Sequence, residues 1–312
     1  MAAETSALAS RRIEPAIAEL LVSDLTPTAL RDPATDARID GILQRAFFDP
    51  ARGFTRAPEA APSACRARVS IGYALLENGR PVPSAAAGVA RAVVEAELDC
   101  PDPSAPDFPV KLEGFRVAVT DERPFGGTHG GTGPERRYEA IAQVASDSAA
   151  RLFGQLTTRH AGDEQILANL AGSPAKALTG QTGPSRSNLV DPTYRDHPGV
   201  LAESASEAGE RHLAAAVPAL VRLTTHPNLQ VATRAGAALG LLKAASPEAL
   251  QALVRMTEGP TTERHRVAIM ALGDLGTPEA RRYLDTLAVG HPSPDLRELA
   301  RERLRALARP TP

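Results

Sequence analysis

Residues 65–77 read CRARVSIGYALLE and residues 88–100 read GVARAVVEAELDC, and the fit between them decides the fold of the first half of the chain. In the first segment Ala67, Val69, Ile71, Tyr73 and Leu75 are apolar, with Arg66, Arg68 and Ser70 between them. In the second, Ala90, Ala92, Val94, Ala96 and Leu98 alternate with Arg91, Glu95 and Glu97. A period of two marks half-buried strands. The connection, NGRPVPSAAA, opens with Asn-Gly and carries two prolines, as hairpin loops do.

Side-chain parity then strongly constrains the register. Setting Leu75 opposite Ala90 places Tyr73 against Ala92, Ile71 against Val94, Val69 against Ala96 and Ala67 against Leu98, all on one face. The next pair on that face is Cys65 with Cys100, the two cysteines of the chain. Opposed residues bring Cβ atoms to the ~3.5–4.5 Å that a disulfide needs, so the register predicts a Cys65–Cys100 bridge. The alternative is a pair of reduced, buried thiols that end two strands. A bridge implies maturation in an oxidising compartment, the periplasm or another cell-envelope location; without it the chain reads as cytoplasmic.

Working outward, 12–22 (RIEPAIAELLV) and 35–48 (TDARIDGILQRAFF) read as helices, the second with Thr35 as N-cap and Ile39, Ile42, Leu43, Ala46 and Phe47 on one stripe. A third strand is expected in VKLEGFRVAVT (110–120), with an irregularity at Gly114, where the apolar phase shifts. A long helix follows over about 134–159, with Ile141, Val144, Ala145, Ala149, Leu152, Phe153 and Leu156 buried, then a shorter one, DEQILANLAG. These elements predict an α+β domain, helices on a small antiparallel sheet, over 61–172 after N-terminal helices in 1–60. Residues 173–205 lack periodicity through position 200 and are rich in Gly, Pro and Ser, as a linker or surface strap would be.

The segment from 206 to 312 repeats itself. ALVRLTTHP (219–227) returns as ALVRMTEGP (252–260), AALG (237–240) as MALG (270–273), and SPEA (246–249) as TPEA (277–280). A weaker third copy keeps the frame: Leu220, Leu253 and Leu284 head the units, Pro227, Pro260 and Pro292 break them, and Leu239, Leu272 and Leu304 close them. Helix, proline break, helix at this period indicates stacked repeats. Over about 210–308 the pattern resembles the short bacterial type of HEAT repeat. That resemblance implies an all-α solenoid that binds another protein and carries no cofactor. Ala232 and His265 stand where such repeats often carry arginine, which breaks the usual charge ladder between helices.

The chemistry-bearing motifs are few. PFGGTHGGTGPE (124–135) has the strand-loop-helix setting of a phosphate loop, and Gly126 and Gly131 have its spacing. Thr132 and Gly133, however, occupy the positions of the lysine and of the metal-binding hydroxyl. Thr132 through Glu135 match a capping box, so the loop reads as a corner ending in a helix cap. The competing reading is an anion site on the helix N-terminus formed by Thr132, Gly133, Arg136 and Arg137 with His129 in the loop, which would make the chain a small-ligand-binding protein or an enzyme. Ser173–Lys176 (SPAK) matches a serine-enzyme tetrapeptide, but the companion elements do not follow it. The histidines are scattered, with no metal-ligand spacing, so no metal is expected. Arg297, Arg301, Arg305 and Arg309 form a stripe on the last helix, either a solvated end cap or a surface for an acidic partner.

Composition narrows the classes further. With 312 residues and 43% apolar side chains the chain can build two cores. Its 35 basic and 37 acidic residues leave a formal charge of −2, without the basic field of a nucleic-acid binder. No run approaches the ~18 apolar residues of a membrane span, and MAAETSALASRRIEPAIAELL lacks the basic-then-apolar order of a secretory signal. Abundant Ala and Arg suggest a GC-rich bacterial source. The expectation is therefore a non-catalytic adaptor that engages a protein partner through its helical repeats.

Overall fold

A computed structural model describes residues 16–48, 54–58, 64–101, 112–159, 161–171, 197–259 and 261–308. It divides into two units, Met1–Leu156 and Thr157–Pro312.

The first unit is built on a mixed six-stranded sheet: β1 (Ala16–Asp24), β2 (Thr55–Arg56), β3 (Cys65–Glu77), β4 (Arg80–Val82), β5 (Gly88–Pro101) and β6 (Leu112–Phe125). The strand order is β2-β1-β3-β5-β6, with β4 paired to β3. The β3–β5 register is the one expected from parity, with Leu75 opposite Ala90 and Ala67 opposite Leu98. One step further the sulfurs of Cys65 and Cys100 lie 2.07 Å apart, at disulfide distance, with their Cα atoms separated by 4.2 Å. Asn78 and Gly79 both take positive φ, the geometry of the tight turn that joins β3 to β4.

Three local expectations fail. The stretch read as a helix over 12–22 is, from Ala16 onward, strand β1, which runs parallel to β2 and β3 and makes the sheet mixed where a purely antiparallel one was expected. Residues 12–15 lie outside the described part. Ala, Glu and Leu favour helix by propensity, but β1 buries Ala16 and Ile17 beside β3, and tertiary pairing overrides a weak local preference. The α1 helix (Pro33–Phe47) then forms the crossover that parallel neighbours β1 and β3 require. It begins after Asp32, with proline at its first turn, so Thr35 lies inside the helix and not at its cap. Finally, β6 pairs with β5 without a break past Gly114, whose partner is Asp99, and continues to Phe125.

One face of the sheet is buried, with Val69, Ile71, Val94, Leu98, Phe115 and Val117 almost inaccessible. α1 and α2 (Gly133–Thr158) belong to this side. Tyr73 bonds to residues at the start of α1, and the Phe47, Phe54 and Phe153 rings pack together, with Phe54 edge-on to Phe153 at 5.4 Å. Each buried ring of this size contributes about 1.5–3 kcal/mol relative to exposure. The opposite face is a charged ladder in which Arg68 bridges Glu97 and Asp99 while Arg116 pairs with Glu97.

The second unit is helical: α3 (Asp163–Ala171), α4 (Pro198–Glu210), α5 (Val217–Leu223), α6 (Leu229–Leu241), α7 (Pro247–Met256), α8 (Thr262–Leu275), α9 (Pro278–Gly290) and α10 (Pro294–Ala308). α4 begins inside the stretch read as a linker over 173–205; residues 173–196 lie outside the described part. Neighbours in space alternate along the chain: α4 packs on α6, α6 on α8 and α8 on α10. Small residues set this spacing. A Cβ on Gly209 would fall 3.0 Å from the Ala238 Cα, and one on Gly240 2.9 Å from the Ala271 Cα. The turns between helices share a device of their own. His197, His226 and His291 each precede a proline, and each ring Nδ1 accepts the backbone N–H two residues on, at 3.0–3.1 Å.

Candidate functional site

The glycine-rich corner folds as a cap. A short 3-10 turn, Gly127–His129, leads into α2; Thr132 N–H donates to Glu135 Oε2 at 2.8 Å, and Glu135 N–H donates to Thr132 Oγ1 at 3.4 Å. The Thr132 amide holds the Glu135 carboxyl below the usual carboxylate range. A protein carboxylate thus already occupies the positive end of the helix. Gly126, at φ 74°, sits where a side chain would strike the Ala86 carbonyl at 2.4 Å, so the glycine serves a close backbone crossing.

The two arginines of the anion reading part company. Arg136 stays near the loop, paired to Glu139 at 2.7 Å and donating to the His129 carbonyl at 3.4 Å. Arg137 is only 3% exposed and points into the first unit. It donates to Asp32 Oδ2 at 2.9 Å and to Thr35 Oγ1 at 3.1 Å, and its guanidinium lies 5.3 Å from the centre of the Tyr73 ring. Thr35 Oγ1 in turn donates to Asp32 at 2.6 Å, and this bond, with the Arg137 charge, holds the Asp32 carboxyl below its ordinary range. The Tyr73 hydroxyl donates to Asp36 at 2.5 Å; burial first, then Asp36, push it up to about 12. A neutral phenol locked between α1 and the sheet holds elements together and exchanges no proton near neutrality.

On α10 the arginine stripe is largely satisfied from within. Arg297 donates to the carbonyls of His291 and Pro292, at 2.7 and 3.1 Å, while Arg301 and Arg305 both bond Glu298 and depress its acidity range. Arg309 lies outside the described residues, as do Ser173–Lys176. Among the described residues, no three His, Cys, Asp or Glu side chains stand together as a metal site would require. Nor is any described helix long and apolar enough to cross a membrane.

The face that sequence reading passed over is on α6 and α8. Leu229, Thr233, Ala237 and Leu241 recur every four residues along α6, on the side away from buried Val231, Ala235, Ala238 and Leu239. Leu229 is 38% exposed and Leu241 47%. The repeat carries Ala237 onto Met270 of α8, also 38% exposed, beside Arg266 and Asp274 at the neighbouring positions of the stripe. On α10 the same stripe turns to Glu298 and Glu302. Leu229 and Leu241 stand at the two ends of α6, about 18 Å apart along its axis, with Leu241 Cδ1 3.2 Å from the Cβ position of Gly209 on α4, and Met270 is exposed on α8 beside charged neighbours. The signal was in the sequence: the 33-residue repeat superposes Ala237 and Met270 on the exposed side, a position where a solvated helix would carry polar residues.

No protein-family model matches the chain, and no curated protein matches it.

Proposed function

We propose that the chain is a non-catalytic adaptor. Its C-terminal third is a short HEAT-like solenoid, and it binds a partner protein through the exposed stripe of α6 and α8. The observation that carries this reading is the exposure of Leu229, Leu241 and Met270 on two helices held in contact by the Gly240–Ala271 approach. Large apolar side chains left exposed on helices that pack together are the kind of feature that marks interaction sites. Most polar groups of the glycine corner and of the Tyr73–Arg137 network bond one another, with Arg136 Nε and Arg137 Nε left over, which favours a structural role for both over an anion or substrate site. The Cys65–Cys100 pair supports a place in the bacterial cell envelope, since disulfides are rare in the cytosol.

The experiment compares proteins captured on the immobilised full chain, wild type against Leu241→Glu with Met270→Glu, and Arg282→Glu on α9 as control. A specific partner is lost with the double variant and retained with the control. Equal recovery on all three removes the α6–α8 face from the account.

A further inference from the structure

The first unit carries a second surface whose chemistry is unlike that of the helical face. α1 and α2 flank a groove of about 550 Å³ lined by Ala37, Arg38, Gly41, Arg45, Tyr138 and Ala142. It shares Arg45 with an adjoining hollow of about 480 Å³, bounded by Gln44, Phe48 and Arg56. Three arginines therefore border one continuous strip, and two are already stacked on rings: Arg38 lies 4.8 Å from the centre of Tyr138, and Arg56 4.5 Å from that of Phe48.

Among the described residues no carboxylate answers these charges. Elsewhere in the unit Arg31 pairs with Asp24, Arg68 with Glu97 and Asp99, Arg91 with Glu122, Arg123 with Asp121, Arg136 with Glu139 and Arg137 with Asp32. Among the described residues Arg38, Arg45 and Arg56 have no such partner; Arg56 bonds only the Gln44 amide oxygen. Of the described acidic residues beside the groove, Asp36 accepts from Tyr73, Asp40 from Gln44, and Glu139 holds Arg136; Asp49 and Glu59 lie outside the described residues.

Spacing chooses the ligand. Arg38 and Arg45 are seven residues apart on one helix, about 10.5 Å along its axis. The Arg45 side chain lies back along the helix, its Nη1 3.6 Å from the Cβ position of Gly41, and with Arg38 and Arg56 it spreads positive charge over two adjoining hollows, an extent that suits a row of carboxylates on a helix better than a single phosphate. The groove walls between the charges are apolar and small at Ala37, Gly41 and Ala142, which suits an apolar helix side laid between paired charges. Stacking on Tyr138 and Phe48 holds two guanidinium groups in place before binding and lowers the ordering cost. We infer that this groove binds an acidic amphipathic helix of a protein partner, through Arg38, Arg45 and Arg56. The inference stands independently of the α6–α8 face.

Gly41 supplies a clean test. A Cβ there would meet nothing closer than Arg45 Nη1 at 3.6 Å, so Gly41→Ala fits the fold and favours the helix, yet it shallows the groove. The probe is a synthetic amphipathic peptide with glutamates seven residues apart and leucines between, titrated by fluorescence anisotropy against the full chain. Its glutamine counterpart, sodium pyrophosphate and vesicles of anionic phospholipid form the other arms. The glutamate peptide binds, and the glutamine peptide binds about tenfold or more weakly. Arg38→Gln with Arg45→Gln lowers affinity by a similar factor, and Gly41→Ala lowers it while the melting temperature holds or rises. Equal binding of the two peptides, or affinity unchanged in both variants, overturns the inference. So does tight pyrophosphate or vesicle binding with the same variant sensitivity and no peptide binding, which would assign the groove to a small anion or a membrane surface.

Discussion

Gly240 of α6 and Ala271 of α8 meet so closely that a Cβ on the glycine would lie 2.9 Å from the alanine Cα. The same meeting occurs one step earlier, between Gly209 and Ala238. One step later Gly273 faces the Arg303 side chain, and the position that should offer the next glycine is Arg305. Backbone-to-backbone approach sets the spacing of α4, α6 and α8, and on α10 an arginine side chain takes the place of that approach.

The two contacts predict different costs. Gly240→Ala pushes a methyl against backbone and should destabilise the chain by about 1–3 kcal/mol. Gly273→Ala meets the Arg303 Cδ at 2.9 Å, which can swing aside, and the Arg303 Cβ at 3.1 Å, which has to shift by only a few tenths of an ångström, and should cost less than Gly240→Ala. Urea melts of the two variants check this ordering; equal costs would mean that the helices are free to separate.

His265 Nδ1 lies 3.2 Å from His291 Nε2. His291 Nδ1 accepts from Ser293 N–H, so its proton is on Nε2 and is donated to His265, whose own Nε2–H faces the Gly259 carbonyl. Every nitrogen is used in the neutral pair, and an added proton would set donor against donor. Burial first, then His265 and the Arg297 charge, lower the His291 pKa from 6.5. The folded state therefore holds fewer protons than the unfolded one just below that value. The stability is fully present above about pH 6.5 and is lost as the pH falls through the depressed folded pKa. His291→Asn, which keeps an acceptor for Ser293 N–H, should flatten this acid slope in melting-temperature profiles between pH 7.5 and 4.5. A slope equal to that of the wild type would rule the pair out as its source.

The hairpin register predicts that the denatured, unreduced protein shows no titratable thiol. Cys65 and Cys100 are 35 residues apart, and closing a loop of that length constrains the unfolded chain by roughly 3–4 kcal/mol. Reductant, or Cys65→Ala with Cys100→Ala, should lower stability by an amount of that order. Two free thiols would remove both the bridge and the envelope assignment that rests on it.

What could be read in the sequence follows the physics of each element. The β3–β5 register was legible because parity puts both apolar sets on one face, and the alignment that also sets Cys65 against Cys100 closes the same ladder. The helices of the second unit were legible because Leu239 and Leu272, with the prolines before them, recur 33 residues apart and mark where each helix runs. β1 was not: AIAELLVSD has helix-forming residues, and only its neighbours β2 and β3 make it a strand. The role of Arg137 was hidden for a related reason. Consecutive with Arg136 at a helix start, it reads as a surface charge, and only its partners Asp32 and Thr35, about a hundred positions away, draw it inside. The α6–α8 stripe was legible, yet the arginines of α10 drew the attention that Leu241 and Met270 warranted.

Methionine oxidation tests the central claim most directly. Met270 lies on the proposed binding face, whereas Met256, 4% exposed in the core of the same unit, serves as internal standard. With dilute peroxide and mass spectrometry, the free chain should oxidise at Met270 well before Met256. In complex with the captured partner, Met270 oxidation should slow several-fold while Met256 is unchanged. Undiminished oxidation of Met270 in a saturated complex would contradict a partner seated on α6 and α8.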